Sequence, residues 1–158
     1  MERVSSSHSY GESGLHLQFT PKYRRQVFRD TQIQDACRQQ FVQIAKSLGI
    51  HLNAVEFGPD HTHMFVSNWK NYAIPELAQR FKGASSKRIR ETLWNKIRPW
   101  RMGKSFWTDG YFYETCGSVT AESRTFYIER CQSKHWVSPI TKNQSQLTNW
   151  LARKPSAL

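Results

Sequence analysis

Two alternating runs, IHLNAVEF at 50–57 and HTHMFV at 61–66, stand either side of Gly58-Pro59-Asp60, and they restrict the fold more than any other feature. Alternation gives a strand one dry and one wet face. A glycine, a proline and an aspartate between two such runs make a tight reversal, so the pair reads as an antiparallel hairpin. A hairpin alone cannot cover its dry face, and the rest of the chain has to supply that cover. Upstream, GLHLQF at 14–19 reads as a further strand stopped by Thr20-Pro21. A helix is expected over about 32–48, with Thr31 and Gln34 as a capping box. Ile33, Cys37, Phe41, Ile44 and Leu48 form its apolar stripe, and Gly49 ends it. Downstream, a second helix is expected from about Pro75 to Leu93, WTDGYFYETC at 107–116 as a fourth strand, and a last helix over about 121–135 capped by Thr120.

The order β-α-β-β-α-β-α predicts an α+β fold of the ferredoxin-like or RRM-like kind, a four-stranded antiparallel sheet with helices on one face. Its open edges favour a homodimer in which two sheets merge. Residues 1–13 are expected as a flexible N-terminal tail, 14–136 as the folded domain and 137–158 as a polar C-terminal tail. No run approaches the roughly 18 apolar residues of a membrane span. The start, MERVSSSHSYGESG, has no apolar signal core, and the three cysteines form no CxxC pair. A cytoplasmic chain with no membrane partner and no disulfide framework is expected.

Charge narrows the function. The formal net charge is +11, a field that attracts polyanions. Between Arg80 and Lys104 lie nine basic residues (Arg80, Lys82, Lys87, Arg88, Arg90, Lys96, Arg98, Arg101, Lys104) and a single acid, Glu91. Trp94, Trp100, Phe106 and Trp107 are interleaved with them or adjoin them. Cations that hold phosphates beside rings that stack on unpaired bases are the means of single-strand binding. Lys22, Arg24 and Arg25 add a second basic cluster.

The hairpin carries the chemistry. His61 and His63 are two apart on a strand and share a face. If Pro59-Asp60 is a two-residue turn, Gly58 pairs with His61 and Glu56 with His63, which puts a carboxylate beside both imidazoles. Two histidines and a carboxylate suit a divalent ion, Mg²⁺ or Mn²⁺. His16 lies on the strand expected beside His63, as a further ligand or a support. Asp60 is placed to hold a histidine nitrogen. On the last helix Tyr127 shares a face with Arg124, Arg130, Cys131 and Lys134, cations that favour loss of its proton or contact with a phosphate.

HLQFTPKYRRQVF, the GPDHTHMFV hairpin, the LAQRFKGASSKRIR helix, SFWTDGYFYETCG and the late tyrosine helix together resemble the IS200/IS605-type transposases, which are single-tyrosine HUH endonucleases. The likeness covers roughly 14–136. It implies that His61 and His63 are the two metal-ligating histidines and Tyr127 the nucleophile. It further implies cleavage and rejoining of single-stranded DNA through a 5′-phosphotyrosine, without ATP, by a homodimer that recognises hairpins at the ends of an insertion sequence. Two positions depart from the pattern. The residue between the histidines is Thr62, where a bulky apolar side chain is usual. The position for a metal-ligating glutamine one turn after the tyrosine holds Cys131, with Gln132 one residue late, so either Gln132 or, as the favoured choice, Glu56 completes the metal site. Two other readings compete: a domesticated relative that processes chromosomal hairpin repeats, and a non-catalytic RRM-like nucleic-acid-binding module.

Overall fold

A computed structural model of the chain describes residues 4–5, 10–11, 14–117, 120, 122–126 and 128–129. Four strands form one antiparallel sheet: β1 (Gly14–Phe19), β2 (His51–Gly58), β3 (His61–Ser67) and β4 (Phe112–Cys116), in the order β2-β3-β1-β4. The sequential hairpin β2-β3 lies at one side, and β1 is inserted between β3 and β4. This is the ferredoxin-like order expected from the sequence. Within the expected N-terminal tail, Val4–Ser5 pairs with Tyr10–Gly11 as a short antiparallel ribbon. The expected tail 137–158 lies outside the described residues.

The alternation of the strands decides what the sheet buries. Leu15, Leu17 and Phe19 of β1 and Met64 and Val66 of β3 are 0% exposed and join one core with helices α1 (Thr31–Leu48) and α2 (Ile74–Thr92). Ile33, Cys37 and Phe41 supply the α1 stripe and Leu77, Phe81 and Ile89 that of α2, spaced by four or eight as a helix face requires. Trp107 and Phe106 close this core from the loop before β4. Trp107 Nε1 donates to Ser85 Oγ at 2.9 Å, which satisfies the one polar atom that the indole carries inside.

Two local features differ from the expected elements. Helix α1 is capped by Asp30, whose carboxylate accepts from Gln32 N at 2.8 Å, and not by Thr31; Gln34 turns its amide to the Phe28 carbonyl instead. Gly49 ends the helix as expected, in the left-handed conformation (φ 68°). The fourth strand is shorter than 107–116: Trp107 makes an isolated bridge to Pro21, and regular pairing starts at Phe112. Gly110 and the loop carbonyls of 108–110, drawn in by Lys82, take the chain out of the ladder.

The second face of the sheet is also covered, which departs from helices on one face only. Residues 122–126 and 128–129 are helical. Thr120 and Ser123 cap this helix reciprocally, Thr120 N donating to Ser123 Oγ (2.8 Å) and Ser123 N to Thr120 Oγ1 (3.1 Å). Phe126 and Ile128 pack with Phe65, Ala54 and Cys116. Those sheet residues are apolar on the face away from α1 and α2, and the hydrophobic effect brings the last helix over them.

Candidate active site on the second face of the sheet

Residues from three strands meet on this second face. The register pairs Glu56 with His63 and Gly58 with His61 across β2-β3, and Gln18 with His63 and His16 with Phe65 across β1-β3. The pairings expected from a two-residue turn at Pro59-Asp60 are therefore those of the structure. The turn is pinned from outside, Phe28 N donating to the Pro59 carbonyl at 3.1 Å.

The two imidazoles of β3 stand edge to face with centroids 4.9 Å apart. Each has Nδ1 engaged within the protein. His61 Nδ1 donates to Asp60 Oδ1 at 2.8 Å, and Asp60 Oδ2 accepts from the Arg24 guanidinium at 3.2 Å. Burial alone would raise the Asp60 carboxyl, but the hydrogen bond from His61 and the charge of Arg24 outweigh it, so its pKa lies below the ordinary value. An ionised Asp60 fixes the proton of His61 on Nδ1, which makes Nε2 the nitrogen suited to a metal. His63 is 1% exposed, and its Nδ1 lies 2.9 Å from Nε2 of the wholly buried His16. Which of that pair donates depends on the tautomer. His16 stacks in turn on Phe65, centroids 4.6 Å apart and planes 8° from parallel.

Gly58 sets the ring of His61. A Cβ built there would lie 2.6 Å from Nε2 and 2.8 Å from Nδ1 of that imidazole, so the ring occupies the space a side chain would take. Thr62 points the other way, into the helical side. It is fully buried, and its hydroxyl donates to the Glu56 carbonyl at 3.2 Å, so a polar residue between the histidines is satisfied where a bulky apolar one is usual.

The carboxylate arm is different. Glu56 has the expected register but is exposed, and among the described residues no three His, Cys, Asp or Glu side chains gather closely enough to hold a metal ion. Two imidazoles with supporting partners are thus in place. Burial, with Glu114 adding to it, pushes the Cys116 thiol up to about 12, so this neighbouring sulfur stays protonated and is a poor ligand. Tyr127, Arg130, Cys131, Gln132 and Lys134 lie outside the described residues. The residues flanking position 127, Phe126 and Ile128, both pack on the histidine-bearing face.

The basic residues divide by what holds them. Lys82 directs its ammonium at the carbonyls of Thr108, Asp109 and Gly110 (2.6, 3.1 and 3.2 Å), a structural use; burial lowers its pKa while Asp109 pulls the other way. Arg80 pairs with Glu76 one turn earlier, and Lys96 holds Asp30 at 2.6 Å. Arg90 donates to the Gly103 carbonyl at 2.7 Å and lies over Trp94. Lys87 and Arg88 of α2 are exposed, as is Arg25. Because α2 packs on the first face of the sheet, its exposed basic side is opposite the histidines. Of the rings that looked suited to stacking, Phe106 and Trp107 are core, whereas Trp94 is exposed.

The fold and site together define a ferredoxin-like domain with a histidine pair on its second face. The model of the family "Transposase IS200 like" matches residues 9–131, and the chain belongs to that family. The ISDra2 transposase TnpA of Deinococcus radiodurans is 29% identical over 126 residues, covering 75% of this chain and 84% of its own length. The transposase for insertion sequence element IS200 of Salmonella typhimurium is 25% identical over 125 residues, covering 79% and 81%. Among solved structures, one from Deinococcus radiodurans R1 assigned as a transposase superposes with a TM-score of 0.65 at 25% identity, covering 84% of this chain and 97% of that one. A REP-associated tyrosine transposase bound to a REP hairpin superposes with a TM-score of 0.50 at 18% identity over 87% of this chain and 76% of that one, a likeness of fold. Among the described residues no helix is long and apolar enough to cross a membrane.

Proposed function

We infer that this transposase cleaves and rejoins single-stranded DNA with Tyr127 as the nucleophile, at a site centred on His61 and His63. The observation that carries the reading is the seating of the helical residues 122–126 on the histidine face, through Phe126 against Phe65, two residues along β3 from His63. In the reaction the Tyr127 phenolate oxygen attacks the scissile phosphorus, the bond to the 3′ oxygen breaks, and that oxygen leaves as a 3′-hydroxyl after taking a proton. The 5′-phosphotyrosine keeps the energy of the phosphodiester, so attack by another strand's 3′-hydroxyl rejoins DNA without ATP. His61 and His63 would hold a divalent cation, Mg²⁺ or Mn²⁺, which when bound supplies Lewis-acid polarisation of the phosphate. Asp60 and His16 orient the two imidazoles, and the third ligand falls to Gln132 or to a Glu56 that swings inward.

The hairpin in the complex of the REP-associated relative supports hairpin DNA as the partner here. Lys87 and Arg88, with the other exposed cations of α2, form a surface for it on the first face. Among the described residues β2 and β4 are the edge strands of the sheet, an arrangement that suits a homodimer with merged sheets. A non-catalytic RRM-like module would present aromatic rings on its open sheet face, but here Phe65 is buried beneath Phe126 and its neighbour His16 is buried too.

The test is incubation with labelled single strands from the DNA flanking the gene, in Mn²⁺ or EDTA. A denaturation-resistant protein–DNA adduct is expected, lost with EDTA and in Tyr127→Phe and His63→Ala. Cleavage that survives Tyr127→Phe would remove Tyr127 as nucleophile.

A further inference from the structure

The loop after β1 holds Tyr23 in a conformation that the residue does not choose by itself. Tyr23 has φ 60° and ψ 19°, and Arg24 follows with φ 52°. Consecutive non-glycine residues in the left-handed region persist only where the surroundings impose them. Here Lys22 N donates to the Phe106 carbonyl at 2.8 Å, Arg24 N to the Pro21 carbonyl at 2.9 Å, and Pro21 bridges Trp107. The outcome of that constraint is an aromatic ring turned outward. Tyr23 is 62% exposed, the most exposed of the large hydrophobic side chains described. Lys22 Nζ and Arg25 Cζ each lie 5.6 Å from its centroid, within cation–π range. The next residue, Arg24, reaches Asp60, and Asp60 holds His61. Trp94 pairs with Arg90 in a similar way, but it lies in ordinary helical backbone and has no such link to the histidines.

We propose that Tyr23 is a stacking platform for an unpaired base of the strand entering the histidine site, with Lys22 and Arg25 leaving the ring to take the phosphates on either side. This rests on the single-strand cleavage inferred above and adds a positioning residue to it. A flat ring accepts a base of any sequence, and a rigid loop holds it without the entropy of ordering on binding. The Arg24–Asp60–His61 chain fixes the platform relative to the imidazoles.

The probe is a single-stranded oligothymidylate of roughly 20 nucleotides carrying one 2-aminopurine, whose emission falls when it stacks on a ring. Wild type, Tyr23→Asn and Tyr23→Trp are compared for binding, quenching and thermal midpoint. Asparagine tolerates the left-handed conformation, so Tyr23→Asn removes the ring and keeps the loop. Its affinity should fall about tenfold and its quenching disappear with the midpoint unchanged, while Tyr23→Trp restores both. Wild-type affinity and quenching in Tyr23→Asn would overturn the proposal. Lost binding with a lowered midpoint that Tyr23→Trp does not restore would overturn it too, assigning the ring to loop folding. A wild-type protein that binds no single strand would instead sink the functional reading, and this proposal with it.

Discussion

The histidine pair works at the scale of single atoms, and its least conspicuous component is a missing side chain. Gly58 lies opposite His61, and the imidazole fills the place of a Cβ. Gly58 is not in a left-handed conformation, so alanine there is acceptable to the backbone but displaces the ring. Gly58→Ala should therefore lower the cleavage rate about 10–100-fold, as displacements near 1 Å do at reacting centres. Its unfolding free energy should move by less than about 1 kcal/mol, since the site lies at the end of the hairpin. Rate and thermal midpoint measured side by side check this; a midpoint that falls with the rate would make Gly58 a folding residue. At this scale the sequence was readable wherever spacing fixes geometry. The two-residue turn gave the pairings of Glu56 and Gly58, and adjacency of β1 and β3 put His16 beside His63. Side-chain conformation was not readable. The register pairs Glu56 with His63, but a strand position fixes the Cβ direction and leaves the outer torsions of the carboxylate open. The tie between Asp60 and Arg24 joins residues 36 apart, and no local pattern announces it.

Among the elements, the helix ends and the Lys82 loop show where local rules compete. Thr31 and Gln34 fit a capping box, yet Asp30 takes the cap because its carboxylate also receives Lys96. That hydrogen bond from Lys96, added to the backbone donors of the first turn, holds the Asp30 carboxyl below its ordinary value against some burial. A depressed carboxyl stabilises the fold above its unfolded pKa, and the contribution is lost as pH falls through the folded value. Asp30→Asn keeps a capping oxygen and loses the charge. Its thermal midpoint should lie below wild type at neutral pH, and the gap should close as pH drops below the ordinary 3.8. A gap independent of pH would mean that the ion pair contributes nothing. Lys82 presents the opposite surprise: composition marks it as a phosphate ligand, and the fold commits it to three carbonyls. Lys82→Met should cost about 1–3 kcal/mol in a denaturant titration through those unsatisfied carbonyls. No change in midpoint would return Lys82 to the surface. Strand β4 is shorter than the aromatic alternation over 107–116 predicts for the same reason, since that alternation persists through a loop whose shape a distant lysine sets.

At the scale of the molecule one sheet carries a basic helical layer on its first face, and the histidine pair with the helical residues 122–126 and 128–129 on its second. Alternating β1 residues serve both, Leu15, Leu17 and Phe19 toward the helices and His16 and Gln18 toward the site. The order of elements made the sheet legible in advance. The placement of the last helix was not, since it depends on the small apolar patch of Ala54, Phe65 and Cys116, which the sequence spreads over three strands. The separation predicts that binding and chemistry can be uncoupled. Lys87→Met with Arg88→Met should lower the slope of log K against log salt by about 0.7–0.9 for each phosphate no longer neutralised. Stability should stay within about 0.5 kcal/mol, as for other surface changes, and cleavage at saturating DNA should persist. An unchanged salt slope would place the DNA surface elsewhere. The central claim concerns one oxygen atom, and the most direct test is to digest the covalent protein–DNA adduct with nuclease and protease and locate the nucleotide-bearing residue by tandem mass spectrometry. A phosphodiester is expected on the peptide containing Tyr127, at the tyrosine itself; a nucleotide on any other residue would rule out Tyr127 as the nucleophile.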